Sequence, residues 1–422
     1  MIVEKHISIE GNHKLSGEIN VKGAKNAVLK EMILPILAEG KYLLKNVPLI
    51  DDVEYMQDVL KVLGINSNFK NDSLEIVSPS TIGVEAPYEI VQKMRASIII
   101  LGPLLARCGE ARIAFPGGDQ LGPRPVQMHL DALEKMGANF ELDHGVLIGK
   151  TDGLNGVEIN LPYASVGATE NTLLAAVLAN GRTVIENAAR EPEIVDIVNM
   201  LLKMGANISG AGTSEIIVEG VDKLNPTDHE IIGDRIAAGT FLAAILSTKG
   251  SGIVNGINPE HLPMELKKLG EMGAKIDSTE TSINIEYRDN LQSIELSTLP
   301  FPGIATDLQP IFGSALLLAE GTSILTENVY DQRFQWIPEA QRMGANIQTG
   351  WQHAMIKGVK TLSGAPVHAT DIRTGASLVI AALQADGLST ITGIDHINRG
   401  YEDIVASLTS LGSTIEYNDK HG

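Results

Sequence analysis

Cysteine is almost absent from this chain of 422 residues, which contains only Cys108. A single cysteine excludes an intramolecular disulfide and fits a protein of the reducing cytoplasm. The first residues lack the basic and then apolar pattern of a secretory signal peptide. The longest apolar runs, such as residues 97–106, are too short and too interrupted to span a membrane. We therefore expect a cytoplasmic protein with no membrane partner.

Basic residues are also scarce, since 33 Lys and Arg stand against 52 Asp and Glu and give a net charge of −19. This balance argues against a nucleic-acid partner, whose binding surface would be basic. Anionic ligands would have to be held by a few local arginines and lysines. The ten histidines form no HxxxH or Cys/His cluster. The sequence therefore predicts no metal, and we expect no other cofactor.

One pattern repeats six times: a helical segment ends in a hydrophobic residue and a glycine, and a short strand follows. Successive glycines are 73, 68, 68, 71 and 68 residues apart. The glycines are Gly64, Gly137, Gly205, Gly273, Gly344 and Gly412. Each fits a helix C-cap, where a positive φ is cheap only without a Cβ atom. The chain is therefore interpreted as six repeats of related structure.

Each repeat also contains an apolar helix that should be buried. These predicted helices cover residues 27–38, 96–106, 167–179, 235–246, 307–319 and 373–385. A chain of this length should form two domains or more. The predicted fold class is α/β, with three repeats in a domain of residues 22–232 and three in a domain of residues 1–21 plus 233–422. The opening strands, 4–10 and 17–21, are expected to complete the sixth repeat.

Charged or small residues stand at the entrances of these helices. They are Lys25-Asn26, Arg95-Ala96-Ser97, Ser165-Val166-Gly167-Ala168-Thr169, Asp234-Arg235, Thr306-Asp307 and Asp371-Ile372-Arg373. Helix N-termini bind anions well, although Ser, Thr and Asp are also ordinary N-caps. Arg333 and Arg399 lie in later turns, where a surface ion pair is the simpler reading of each. Six entrances facing one cleft would favour an anion-binding site.

Residues 115–126 form a predicted loop, because three glycines and three prolines exclude a helix or a central strand. The loop carries Asp119 and Arg124 between its bends. Such a loop either presents these charges to a ligand or is a surface turn.

Together these motifs resemble the UDP-N-acetylglucosamine 1-carboxyvinyltransferases, the enolpyruvyl transferases of the EPSP synthase family, from about Ile7 to Glu416. The motifs are Gly23-Ala24-Lys25-Asn26-Ala27, Met94-Arg95-Ala96-Ser97, Phe115-Pro116-Gly117-Gly118, Arg124-Pro125-Val126, Ser165-Val166-Gly167-Ala168-Thr169, residues 186–193, Thr306-Asp307 and Arg399-Gly400-Tyr401-Glu402. The resemblance implies two inside-out α/β barrel domains, each of three βαβαββ-like repeats around buried helices. The active site would lie in the cleft between them.

The resemblance also implies the reaction, in which the enolpyruvyl group of phosphoenolpyruvate moves to the 3′-hydroxyl of UDP-N-acetylglucosamine and phosphate is released. This is the first committed step of peptidoglycan synthesis. The chemistry needs an acid for the methylene carbon, a base for the hydroxyl proton, and cations around a trianionic substrate. The partners would be these two small molecules, and no oligomer is implied.

By resemblance, the catalytic residues are Asp119, Asp307, Lys25 and Arg399, with Asp307 as the base and the Asp119 loop as a lid. Phosphoenolpyruvate would contact Lys25, Asn26, Arg95, Arg124, Arg333, Arg373 and Arg399. UDP-N-acetylglucosamine would contact Asn26, Arg95, Arg124, Pro125, Val126, Gln127, Met128, Ser165, Val166, Gly167, Thr306, Asp307 and Val329.

Three positions depart from the family pattern. Asp119 occupies the lid position that most often holds cysteine, and an aspartate is a general acid only when protonated, against an ordinary pKa of about 3.9. We therefore expect insensitivity to fosfomycin, which alkylates that cysteine. Cys108 is predicted to be a core residue at a helix end, and so no substitute. Tyr163 and Asp51 stand where relatives often have lysine.

Three alternatives stay open. A paralogue could transfer enolpyruvyl to another nucleotide or nucleotide sugar, and only Tyr163 and Asp51 support it. The shikimate-pathway enolpyruvyl transferase shares the six-repeat architecture, but the motifs around Asp119 and Arg124 favour the sugar-nucleotide enzyme. A non-catalytic scaffold should have lost some of the charged residues that this chain retains.

Overall fold

The computed structural model describes residues 5–91, 95–114, 126–330 and 333–419. These residues form two compact units, and the chain passes from one to the other after residue 22 and again after residue 232. We call residues 23–232 the continuous unit and residues 5–22 with 233–419 the split unit. Each unit has its own hydrophobic core. No helix among the described residues is long and apolar enough to cross a membrane.

The continuous unit holds repeats one to three, preceded by two strands of the split unit, β1 (Lys5–Glu10) and β2 (Ser16–Asn20). Repeat one comprises α1 (Lys25–Glu31), β3 (Gly40–Lys45), α2 (Asp51–Val62), β4 (Asn66–Lys70) and β5 (Ser73–Ser78). Repeat two comprises β6 (Glu85–Ala86), α3 (Tyr88–Val91), α4 (Leu101–Cys108), β7 (Glu110–Ala114), α5 (Gln127–Lys135), β8 (Asn139–Asp143) and β9 (Val146–Lys150). Repeat three comprises β10 (Glu158–Asn160), α6 (Val166–Ala176), β11 (Arg182–Glu186), α7 (Pro192–Lys203), β12 (Asn207–Ser209) and β13 (Glu215–Glu219), and β14 (Asp228–Glu230) follows.

The split unit holds repeats four to six. Repeat four comprises α8 (Arg235–Ser247), β15 (Ser251–Asn255), α9 (Pro263–Glu271), β16 (Ala274–Ser278) and β17 (Ser282–Tyr287). Repeat five comprises β18 (Glu295–Ser297), α10 (Gln309–Ala315), β19 (Thr322–Thr326), α11 (Ile337–Arg342), β20 (Asn346–Gly350) and β21 (His353–Lys357). Repeat six comprises β22 (Pro366–His368), α12 (Ile372–Gln384), β23 (Leu388–Thr392), α13 (Ile394–Asn398), α14 (Ile404–Ser410) and β24 (Thr414–Asp419).

Six four-stranded sheets confirm the repeated α/β architecture. Their orders are β14-β3-β5-β4, β6-β7-β9-β8, β10-β11-β13-β12, β2-β15-β17-β16, β18-β19-β21-β20 and β22-β23-β1-β24. In repeat three, for example, β10 runs parallel to β11, whereas β13 is antiparallel to both of its neighbours. All six predicted cap glycines have φ between +83° and +107°, which confirms their place in left-handed backbone.

The opening strands separate, which corrects part of the prediction. β1 completes repeat six, between β23 and β24, as expected. β2 instead runs parallel to β15 in repeat four, where Ile19 stands opposite Val254 and both are buried. Repeat four needs this strand because β14, the strand that precedes α8, pairs with β3 and so belongs to the sheet of repeat one.

The buried helices agree with the prediction in α6, α8 and α12, which are buried along most of their length. The first repeat differs, because its apolar segment divides into α1 and a 3₁₀ turn at Leu34–Ile36 that contains Pro35. Proline cannot donate the backbone bond that a continuous helix needs there. Helix α7 is also buried over most of its length. Cys108 ends α4 but is exposed, so its prediction as a core residue was wrong.

Candidate functional site

Asp307 lies between two buried arginines in the split unit. Arg333 donates from Nη2 to Oδ1 at 2.9 Å, and Arg373 donates from Nε and Nη2 to Oδ2 at 3.2 and 3.0 Å. The arginine side chains are 2% and 6% exposed, and that of Asp307 is 25% exposed. These contacts bring together three of the residues singled out from the sequence, and the burial of the two arginines means that their charge interactions are poorly screened.

Arg373 extends this cluster to two neighbouring elements. Burial by itself would lower the pKa of Arg373, but the Asp307 carboxylate and other neighbours raise it above its ordinary value. Its Nη1 donates to the Tyr401 hydroxyl at 3.3 Å, and that hydroxyl lies 2.8 Å from Thr240 Oγ1 on α8. Burial raises the pKa of Tyr401, so the phenol stays protonated and able to donate. The Tyr401 hydroxyl thus links the Arg373 guanidinium on α12 to Thr240 on α8.

Arg333 has spare hydrogen-bonding capacity. Its Nε donates to Thr306 Oγ1 at 3.2 Å, and its guanidinium carbon lies 5.1 Å from the centre of the Tyr330 ring. Its Nη1 is buried and has no hydrogen-bond partner among the described residues. Such a group is costly unless a ligand satisfies it, and a guanidinium favours carboxylate or phosphate. This observation points to an anion beside Arg333.

Thr306 and Val329 surround a further buried carboxylate, that of Glu327. The Thr306 hydroxyl and the Val329 amide donate to Glu327 at 3.0 and 2.8 Å. Arg399, the last predicted cation of this unit, is half-buried directly after α13. Sequence reasoning missed Glu327, because at the end of a strand it resembles an ordinary polar residue.

In the continuous unit, Lys25 begins α1 and is buried. Its Nζ lies 2.8 Å from Oδ2 of Asp52, whose side chain is 3% exposed. Asn26 is half-buried, and its carbonyl accepts a bond from Lys30 at 2.8 Å. Asp52 was not singled out in the sequence, although its neighbour Asp51 was. A lysine and aspartate in the same repeat give no motif that identifies them as a pair.

The entrance of α6 shows capping and close packing. Ser165 Oγ accepts from the Ala168 amide at 3.3 Å, as an N-cap should. A Cβ atom on Gly167 would lie 3.0 Å from Cε1 of His129, so packing against that ring also requires a small residue. Val166 is half-buried and begins the helix. Helix capping by Ser165 and close packing at Gly167 therefore explain these small residues, and their contact with a diphosphate stays a prediction.

The predicted uridine contacts lie only partly in the described chain. Val126 is buried directly before α5, and Gln127 and Met128 begin that helix, where Gln127 donates to Asp131 at 2.6 Å. Asp119, Arg124 and Pro125 lie outside the described residues, as does the side chain of Arg95. Their predicted roles, including the lid, stay predictions.

A buried polar cluster in the continuous unit was also missed. Glu31, Asp196 and His229 each offer one ligand atom, and these atoms lie within 4.8 Å of one another. Both nitrogens of His229 are engaged, Nε2 with Asp196 at 2.9 Å and Nδ1 with Lys203 Nζ at 3.0 Å. Burial and the Asp196 carboxylate raise the pKa of Glu31 well above its ordinary value. Hydrogen bonding from His229 lowers the pKa of Asp196 despite its burial, so Glu31 is the member of the pair that keeps a proton.

This triad fits a proton-holding network better than a metal. Neutral histidine has one donor and one acceptor nitrogen. Lys203 supplies a cation at Nδ1, which makes Nε2 the donor toward Asp196. A metal on Nε2 would have to displace that proton next to an ammonium group. The absence of an essential metal stays a prediction.

Comparisons with known proteins place this chain in a family. The family model described as EPSP synthase (3-phosphoshikimate 1-carboxyvinyltransferase) matches residues 9–408. A relative from Corynebacterium jeikeium (strain K411), named UDP-N-acetylglucosamine 1-carboxyvinyltransferase, is 46% identical over 408 residues, which are 97% of this chain and 98% of the relative. A relative of the same name from Thermotoga maritima is 45% identical and covers 98% of each chain.

Solved structures share the fold. The enolpyruvyl transferase NikO from Streptomyces tendae aligns over 99% of this chain and 100% of its own, with a TM-score of 0.89 at 23% identity. The EPSP synthase from Acinetobacter baumannii aligns over 98% of this chain with a TM-score of 0.76 at 21% identity. These enzymes have the predicted two-domain, inside-out α/β fold. With a family model that spans nearly the whole sequence, the chain belongs to the EPSP synthase family.

Proposed function

We propose that the protein transfers the enolpyruvyl group of phosphoenolpyruvate to the 3′-hydroxyl of UDP-N-acetylglucosamine and releases phosphate. This proposal depends chiefly on one observation: Asp307 is held between Arg333 and Arg373, and the buried Nη1 of Arg333 has no hydrogen-bond partner among the described residues. The relatives named UDP-N-acetylglucosamine 1-carboxyvinyltransferase, 44–46% identical over nearly the full chain, support this acceptor. The protein is thus a transferase of peptidoglycan synthesis.

Asp307 is the base in this proposal. Its two guanidinium partners favour the ionised carboxylate, which is the form that accepts a proton. Phosphoenolpyruvate brings a carboxylate and a phosphate that compete for the same N–H groups of Arg333 and Arg373. The competition frees Asp307 to take the proton of the sugar hydroxyl as the new bond to the enolpyruvyl carbon forms.

The remaining cations hold charge that develops during the reaction. Arg399 joins Arg333 and Arg373 on the phosphoenolpyruvate side, with Lys25, Asn26, Arg95 and Arg124 as further contacts. Asp119 is the proposed acid for the methylene carbon. Thr306 and Val329 contact the sugar, residues 124–128 hold the uridine and residues 165–167 hold the diphosphate. These assignments follow the family resemblance.

Phosphate release tests the proposal. Purified protein is mixed with phosphoenolpyruvate and UDP-N-acetylglucosamine at several pH values, and parallel reactions contain shikimate 3-phosphate, UMP or no acceptor. Release only with UDP-N-acetylglucosamine is expected, with a rate that falls as the pH rises if Asp119 must be protonated. Release only with another acceptor would overturn the proposed substrate and direct attention to Tyr163 and Asp51. No release in any reaction would overturn the proposed activity.

The cytoplasm is the proposed compartment, because one cysteine fits a reducing environment. The proposed partners are the two small-molecule substrates, with no nucleic acid.

A further inference from the structure

A buried carboxylate directly after β19 orders the residues next to Asp307. Glu327 is fully buried. The amides of Val329 and Tyr330 donate to its Oε1 at 2.8 and 3.0 Å, and the Thr298 hydroxyl donates to the same oxygen at 2.7 Å. The Thr306 hydroxyl donates to Oε2 at 3.0 Å. Four donors therefore converge on one side chain, which fixes the segment leading from β19 toward Arg333.

The bond from Thr306 determines what its hydroxyl offers to the site. A threonine hydroxyl has one proton and two lone pairs. Because the proton points to Glu327, only lone pairs remain for Arg333, whose Nε donates to Thr306 Oγ1 at 3.2 Å. The same guanidinium donates through Nη2 to Asp307 at 2.9 Å. The direction of the Thr306 hydroxyl proton therefore determines how the plane of the Arg333 guanidinium is oriented, and this guanidinium holds Asp307.

We propose that Glu327 is a positioning residue for the transfer reaction. It acts through Thr306, which it turns into an acceptor, and through Thr306 it orients Arg333 and Asp307 for the substrates. It also fixes the Val329 backbone, a predicted sugar contact. The inference rests on the proposed function, because Asp307 matters here as the base of that reaction.

The substitution Glu327→Gln tests this role with almost no change of volume. If the remaining oxygen stays with its three donors, the new NH₂ group faces Thr306 and donates to its oxygen. The Thr306 proton must then turn away. Because a hydrogen bond to a charged group is at stake, we expect kcat to fall about 10- to 100-fold. The KM of UDP-N-acetylglucosamine should change less, because the sugar contacts keep their atoms.

A double-mutant cycle with Thr306→Val separates positioning from stability. If Glu327 acts through the threonine hydroxyl, E327Q should cost less than about threefold in kcat once that hydroxyl is gone. Thr298→Val is the matched control, since it removes a donor to the other oxygen of the same carboxylate. It should lower the melting temperature and leave kcat within about twofold.

Each outcome has one meaning. Wild-type phosphate release tests the proposed function by itself. Normal release with an undiminished kcat in E327Q would overturn the positioning role alone, and so would fully additive losses in E327Q and T306V. Absence of wild-type release would overturn the proposed function and, with it, the role of Glu327 in that reaction.

Discussion

Replacing Asp307 with asparagine should destabilise the protein, because it leaves two buried guanidinium groups without their carboxylate. Neither arginine can lose its proton in response. Breaking a buried ion pair by removing one partner costs about 3–5 kcal/mol. The arginine side chains are 2% and 6% exposed, but Asp307 is 25% exposed, which favours the lower end. A loss of about 3 kcal/mol lowers the melting temperature of a unit of this size by roughly 6–12 °C.

Asp277→Asn is the matched control for this change. Asp277 lies 3.0 Å from Lys275, and their side chains are 60% and 43% exposed. An exposed pair of this kind contributes less than about 1 kcal/mol. Thermal unfolding of the wild type, D307N and D277N should therefore place D277N within roughly 3 °C of the wild type and D307N well below both.

Inorganic phosphate adds a second measurement to the same series. The anion can replace the missing charge beside Arg333 and Arg373, whereas in the wild type it must compete with Asp307. Phosphate should therefore raise the melting temperature of D307N more than that of the wild type. Turnover of D307N should fall about 10²- to 10⁴-fold, because the proposed base is lost. Two results would show that Asp307 is not the counter-ion of this cluster. One is a melting temperature of D307N equal to that of D277N, and the other is an equal stabilisation of D307N and the wild type by phosphate.

Two further predictions concern other carboxylates. Burial raises the pKa of Glu170 from 4.5 to about 7, against the lowering effect of Lys30, so its contribution to folding is present below pH 4.5 and is lost as the pH rises through 7. The loss in the free energy of unfolding is on the order of 3 kcal/mol. Urea unfolding at pH 5 and pH 8 measures it, and Glu170→Gln should remove this part of the difference between the two pH values. An unchanged difference in the variant would contradict the prediction. Fosfomycin should cause no time-dependent inactivation, whereas Asp119→Cys should become sensitive, and a covalent adduct on Asp119 would refute the prediction.

The repeats could be predicted from the sequence because their signals are local. A glycine that ends a helix, and an apolar helix before it, are readable within one repeat. The pairing of β2 was wrong because it depends on which distant repeat lacks a strand. The exposure of Cys108 was missed for a related reason, since an apolar helix does not reveal where its last turn leaves the core.

Site residues with a charge in a motif were easier to find than the residues that hold them. Asp307, Arg333 and Arg373 were singled out, and they do meet in the split unit. Glu327 and Asp52 were not, because a carboxylate that accepts bonds from distant or backbone donors has no sequence signature. The triad of residues 31, 196 and 229 is likewise dispersed along the chain.

The paired carboxylates also explain how a chain with a net charge of −19 can present the proposed site for anions. Buried cations repel one another and are costly without partners. Lys25 is held by Asp52, and the two arginines share Asp307, so each cation is ordered before a substrate arrives. In the proposed reaction, a trianionic substrate exchanges with these carboxylates rather than filling a vacant positive cavity. On this proposal, substrate binding depends on these local exchanges, and turnover depends on residues such as Glu327 that fix the geometry in which they occur.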